Sequence, residues 1–349
     1  MKRLVMMTAI LAMPSSGALA GGIERSTQSV GILFEEGRYA ELSFSTVNPK
    51  VSGAFAIGPT PSGDMAPSYN TFAFGYKQDF GQNLSFALIV DQPVGADVAY
   101  PAAGAYPFHG ATATVDSHAV TGLLRYKFPN NLSLYGGARA QEISASLNLP
   151  SGGGPYSLTV PSDTEYGYVL GIAYEKPEIA LRIALTYNSE ITHTLKDNAA
   201  TPFDVTIPQS WNLEFQSGVA ANTLVFGSVR WVEWTAFTVS PPEYPANPLA
   251  DAKTNTISYT LGVGRKFNEH WSGAIVLGYE DGGGVPVGNL APTDGYKSIG
   301  LAATYKINNV KITGGIRYID IGDATTTSIG ANFANNSAIG VGLKVGVNF

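Results

Sequence analysis

The sequence predicts an all-β fold, a transmembrane antiparallel β-barrel of about fourteen strands with a short N-terminal plug, as found in bacterial outer membranes. Three observations carry the prediction: apolar residues alternate with a period of two, the connections alternate in length, and charge is scarce. Only 14% of the 349 residues are charged, where a soluble domain carries about 25%. Glycine (40), tyrosine (18) and phenylalanine (16) are abundant instead. No segment after residue 20 offers the roughly 20 consecutive apolar residues of a membrane helix. A closed barrel satisfies every backbone group in lipid without one.

The chain opens on Lys2 and Arg3, continues through an apolar run from Leu4 to Met13, and reaches Ala18-Leu19-Ala20. Residues 1–20 are therefore expected to form a cleavable secretory signal. The apolar run is too short for a spanning helix, and residue 21 is Gly, not the Cys of a lipid-anchored N-terminus. Removing the signal takes two bases and no acid, so 21 basic and 27 acidic groups become 19 and 27, a formal charge of −8 in place of −6. An acidic chain offers nucleic acid no electrostatic attraction. Zero cysteines exclude disulfides, thiolate metal sites and a cysteine nucleophile.

Residues 21–38 lack strand alternation. Their apolar members Val30, Leu33 and Phe34 are expected to pack as a small plug, the alternative being a periplasmic extension. The barrel then occupies residues 39–349, beginning with a strand from Tyr39 to Val47. Alternation continues through Phe72, Phe74 and Tyr76, then Leu84, Phe86, Leu88 and Val90, and later through Ile299, Leu301 and Tyr305. It is clearest at the end, where Ile339, Val341, Leu343, Val345, Val347 and Phe349 take every second place. Each run reads as a strand with one lipid face and one small or polar face.

Short links fall at Gly81-Gln82, Pro129-Asn130-Asn131, Lys176-Pro177-Glu178, Ala220-Ala221-Asn222, Asn268-Glu269-His270 and Asn308-Asn309. Longer links are centred near Gly58, Gly104, Gly153, Asn198, Tyr244, Gly284 and Thr326. Tight turns at one end and long loops at the other are the habit of outer-membrane barrels, and an even strand number puts both termini on the periplasmic side. Pro93 and Gly95 follow the third strand. Proline has no backbone donor, so a weakness in the wall, a lateral gate, is expected around Asp91, Pro93 and Gly95.

Parity turns Arg125, Arg182, Arg317 and Lys344 into the lumen, and Arg139 and Arg230 with them if Leu134 and Val229 face lipid. Of these, Arg139, Arg230, Arg317 and Lys344 lie near mid-membrane and are candidates to bind a ligand's head group; ion pairing with Glu165, Glu214 or Glu280 is the structural alternative. Leu224, Phe226, Val232 and Trp234 share the parity of Arg230, so the lumen is less polar than a water-filled pore requires. An apolar passage with a few cations suits an amphiphile with an acidic head.

Nothing suggests catalysis. His109, His118, His193 and His270 show no metal-ligand spacing, no Gly-x-Ser-x-Gly sequence is present, and Gly152-Gly153-Gly154 and Gly282-Gly283-Gly284 lack the Lys-Ser/Thr of a phosphate loop. No cofactor, metal or enzymatic activity is expected.

Phe203-Asp204-Val205-Thr206-Ile207-Pro208-Gln209-Ser210-Trp211, Val229-Arg230-Trp231-Val232-Glu233-Trp234-Thr235-Ala236-Phe237, Gly314-Gly315-Ile316-Arg317-Tyr318 with the closing strand, and more weakly Asp91-Gln92-Pro93-Val94-Gly95-Ala96-Asp97, resemble the FadL/TodX-type family of outer-membrane transporters of long-chain fatty acids and other hydrophobic compounds. With the strand number, the likeness covers nearly the whole mature chain. It implies a fourteen-stranded, monomeric barrel plugged by an N-terminal hatch, taking hydrophobic substrate at its outer loops and releasing it sideways through a kinked third strand. The chain departs from the family at the hatch, since only residues 21–38 precede the first strand and Asn48-Pro49-Lys50 stands where an Asn-Pro-Ala motif would not. The expected function is passive uptake of long-chain fatty acids or similar hydrophobic small molecules. A general or anion-selective porin and a non-transporting structural or adhesive barrel are the alternatives. The expected partners are the small-molecule substrate and outer-membrane lipid.

Overall fold

In a computed structural model of the chain, which describes residues 23–58, 60–150, 155–246 and 248–349, fourteen strands among the described residues close into one antiparallel barrel. They are β1 (Tyr39–Lys50), β2 (Tyr69–Phe80), β3 (Leu84–Asp91, resuming over Ala96–Ala99), β4 (Thr112–Lys127), β5 (Leu132–Leu149), β6 (Tyr156–Lys176) and β7 (Leu181–Asn188). The second half comprises β8 (Ser210–Ala220), β9 (Thr223–Val232), β10 (Thr256–Lys266), β11 (Trp271–Glu280), β12 (Tyr296–Ile307), β13 (Val310–Ile321) and β14 (Asn336–Asn348). Closure comes where β1 pairs with β14, Tyr39 opposite Asn348. Residues 1–20, where the sequence places a signal peptide, lie outside the described residues, as does Gly153.

The six short links, and the long ones that lie among the described residues, fall where the alternation puts them. Asn131, Asn222 and Asn308 take positive φ in their tight turns, a conformation that asparagine tolerates better than most side chains. One boundary differs from the sequence reading: β1 runs on past Val47 to Lys50. Beyond Val47 it pairs with β14 alone, because its ladder to β2 ends at the Val47–Tyr69 pair. Pro49, which has no donor to give, is tolerated where only one side is laddered.

The period of two sorts side chains between lipid and lumen. Leu124, Leu134, Leu261 and Leu301 stand exposed on the outside. Aromatic rings edge this apolar band at both borders: Tyr187 against Trp211 and Tyr259 against Tyr279 toward the loops, Tyr126 against Phe128 and Trp271 against Tyr305 toward the turns. Two aromatic girdles are what a barrel seated in a bilayer presents to the head-group regions. Inside, large rings lie over glycines of neighbouring strands. A Cβ on Gly171 would fall 2.2 Å from the ring of Tyr135, and one on Gly346 would fall 2.0 Å from the hydroxyl of Tyr39, so these glycines are needed for close approach.

A membrane-crossing strand needs about 9–11 residues. Strands β5 and β6 have 18 and 21, and their surplus rises past the loop-side girdle as an extension of the wall. Against this extension lean a hairpin, Ile191–Lys196 paired with Pro202–Ile207, and the loop that carries the small ribbon Thr238–Val239 and Ala250–Asp251. The larger apolar core of the molecule sits here, above the membrane.

Candidate functional site

The segment before β1 lies inside the barrel and is tied to the wall along its length. At its lower end Gly31–Phe34 forms a single 3-10 turn. Val30, Leu33 and Phe34 are buried there against Ala87, Leu123, Tyr135 and Val169, inward residues of β3 to β6. Phe34 is held between two guanidinium groups, Arg125 at 4.5 Å and Arg182 at 4.6 Å from its ring centroid. Arg125 also pairs with Glu175 and donates to the Leu33 carbonyl at 3.1 Å. Glu35 meets Lys311 at 2.9 Å, and its carbonyl accepts from Lys77 at 2.6 Å.

Higher up the contacts are equally specific. Asn212 donates to the Thr27 carbonyl (2.7 Å), Ser29 to Glu214 (2.6 Å) and Ser26 to Asp91 (2.6 Å). Glu24 accepts from Arg230 at 2.5 Å and 2.7 Å, while the remaining donors of Arg230 reach Ser210 and Asn212. Arg25 stacks 3.3 Å over the ring of Tyr69, pairs with Asp97 at 2.7 Å and donates to the Gly95 carbonyl at 2.9 Å.

These contacts meet the wall where β3 is broken. Asp91 pairs with Ala119 and Ala96 with Val115, so a stretch of β3 one residue longer than its counterpart on β4 is accommodated by bending inward. Pro93, Val94 and Gly95 leave the wall and pair with the N-terminal segment: the Arg25 amide donates to the Pro93 carbonyl (2.9 Å), Gly95 donates to Ile23 (2.7 Å), and Glu24 bridges Val94. On the other side Ser117 Oγ accepts from the Val94 amide (3.0 Å) and donates to its carbonyl (2.6 Å). The ladder between β2 and β3 consequently ends at the Phe74–Val90 pair, and Tyr69–Ala73 of β2 are laddered to β1 alone. Asp91, Pro93 and Gly95 all sit at this break.

Directly above lies a cavity of about 200 Å³. Val115 of β4 with Ile143 and Leu158 of the extended strands form one side, Leu195 and Phe203 from the hairpin another, and Trp234 a third. Ile23, the residue that pairs with Gly95, lines it too, as does Ala96, where β3 resumes. Its charged members are Asp251, Lys253, Asp281 and Asp294, with Lys253 ion-paired to Asp251. The Asp294 carboxylate is engaged by the Gly283 and Gly284 amides at 2.6 Å and 2.8 Å.

The lumen bases read from the sequence all face inward, but none lines this cavity. Arg230 is bound to Glu24, Lys344 meets Glu41 at 3.2 Å, and Arg139 donates to Thr121 at 2.9 Å. Arg317 donates twice to Ser298, at 3.0 Å and 2.7 Å, and faces the ring of Tyr296; among the described residues no carboxylate lies within ion-pair distance of it. Trp234 belongs to the cavity, whereas Leu224 and Phe226 form a separate cluster with Ala180 and Ala274 near the turns. Sequence reasoning missed Ile23, Glu24 and Arg25, whose pairing with a broken strand leaves no periodic trace, and Gln92, whose side chain accepts from the Phe72 amide at 3.0 Å.

A scan against family models matches none, and no curated protein is similar in sequence. Solved structures are similar in fold. A FadL homologue of Pseudomonas aeruginosa superposes with a TM-score of 0.74 at 14% identity, over 91% of this chain and 92% of that one. The toluene transporter TodX of Pseudomonas putida does so with 0.68 at 11%, over 95% and 96%. The toluene transporter TbuX of Ralstonia pickettii gives 0.62 at 14%, over 91% and 90%.

Proposed function

We propose that this chain is a non-enzymatic, passive outer-membrane channel of the FadL/TodX type, which takes uncharged hydrophobic small molecules into its outer cavity and releases them sideways at the break in β3. The observation that carries the reading is the placing of Ile23 and Ala96: both line the cavity, and both belong to the junction where the N-terminal segment holds the bent strand. A ligand that displaces Ile23 reaches the gap between β2 and β3 without crossing the plugged lumen. The toluene transporters of the same fold support this reading.

Charge favours the uncharged end of the hydrophobic range. Carboxylates outnumber cations around the cavity, and its Lys253 is already paired. A ligand carboxylate would lose hydration there without gaining a cation, a severe cost in apolar surroundings. Size agrees, since an apolar cavity of about 150 Å³ is enough to bind benzene. The ties between plug and wall argue against an open porin.

A second reading, uptake of fatty acids, is supported by Arg317, a buried base with hydroxyl and aromatic neighbours but, among the described residues, no acid within ion-pair distance. Expression in cells without a transporter of their own separates the two. Accelerated uptake of toluene but not of laurate is the expected result, together with low ion conductance in planar bilayers. Selective uptake of laurate would favour the second reading, and large, steady conductance would defeat both.

A further inference from the structure

Phe74 pairs with Val90 in the β2–β3 ladder, so the next rung in that register joins Phe72 to Gln92 and the one after it Asn70 to Val94. Neither rung is made by the backbone. Val94 has turned inward to bridge Glu24. The backbone of Gln92 has left the wall, yet its side-chain carbonyl reaches back and accepts the Phe72 amide at 3.0 Å. A side chain thus takes the place of the missing main-chain acceptor at the position the register assigns to the same residue.

We infer that Gln92 is the latch at the lower edge of the lateral opening, a positioning residue that fixes how far the slot between β2 and β3 extends toward the bilayer centre. The inference rests on the proposed lateral release. Above the latch, Tyr69–Thr71 of β2 are laddered to β1 and leave their β3-facing edge unpaired; below it, the Phe74–Val90 pair begins a continuous wall. Losing the latch lengthens the slot by one rung, two residues or about 6.7 Å of strand. The added length lies beside Phe72 and Phe44, rings in contact on the lipid face at a centroid distance of 5.4 Å. An apolar ligand leaving there meets hydrocarbon directly. The bond is well suited to open and close, because a single neutral hydrogen bond from a side chain is a weak fastening beside the continuous main-chain ladder below it.

Replacing Gln92→Met keeps the length of the side chain and removes the acceptor, whereas Gln92→Glu keeps an acceptor oxygen. Amide exchange read residue by residue in nanodiscs should show Phe72 exchanging about tenfold faster in Q92M than in the wild type. Phe74 should be unchanged, and Q92E should restore protection at Phe72. Toluene uptake should rise about twofold or more in Q92M and return toward the wild-type rate in Q92E. Unchanged exchange at Phe72 would overturn the latch, and so would faster exchange with unaltered uptake. A wild-type chain that carries no toluene would remove the transport reading and the latch's role in it, while the exchange measurement would still report whether the rung exists.

Discussion

Arg230 shows how one residue's environment decides its role. It is 5% exposed, and Glu24 neutralises it across 206 positions of sequence. Removing one partner of a buried ion pair costs about 3–5 kcal/mol, because the other is left charged and unpaired. Glu24→Ala should therefore free the upper end of the N-terminal segment, and trypsin added to the detergent-solubilised barrel should cut at Arg25 much faster than in the wild type. Glu24→Gln, which can still accept, should be cut more slowly than Glu24→Ala; equal protection of all three would show that the pair does not hold the segment. Arg317 differs in having, among the described residues, no acid to strand, so Arg317→Met should leave toluene uptake and the heat-modified gel shift unchanged. Binding of a long-chain carboxylate, if it uses this site, should weaken by about 1.5–3 kcal/mol, measured by displacement of a fluorescent fatty acid. Parity alone was enough to turn these bases inward. It could not pair them, because the choice between a glutamate on the plug and a ligand's head group depends on a segment that carries no periodic pattern of its own.

At the scale of elements, strands and turns were legible because a lipid face imposes a strict period and tight turns need asparagine or glycine. The break in β3 was legible for the same kind of reason, since Pro93 cannot donate to a ladder. Its consequence was not: the bent strand exchanges its neighbour β2 for residues 23–25, a pairing that follows from the geometry of the bend and from nothing periodic in Ile23-Glu24-Arg25. The heights of β5 and β6 were equally hidden, because alternation continues above the membrane with apolar residues turned to the cavity. The two ends of the barrel make a simple prediction. A cysteine at Gly104, between β3 and β4, should label from outside intact cells, and one at Asn130, in the turn between β4 and β5, should label only after the outer membrane is opened; the reverse pattern would invert the topology. The chain's lack of cysteine makes the background clean.

Across the whole molecule, polar and apolar parts are segregated along the barrel axis. Ion pairs and hydrogen bonds fasten the plug within the wall, and the apolar cavity lies above it, walled by the raised parts of the strands and meeting the break in β3 at Ile23 and Ala96. A ligand entering that cavity finds the axial route filled and the lateral one held by a few strand-like hydrogen bonds. On the proposed reading, apolar burial drives it in and the bilayer offers the same apolar surroundings on the far side, so passage down a gradient needs no energy source. The most direct test fills the cavity without touching the plug. Ala145 lines it from β5, and Ala145→Trp would place a ring in the space a single aromatic ligand would occupy. Toluene uptake by cells expressing the wild-type chain should exceed that of cells without it, and A145W should bring uptake back to the background while the purified barrel keeps its heat-modified gel mobility. Uptake by a folded A145W barrel equal to that of the wild type would contradict passage through the cavity.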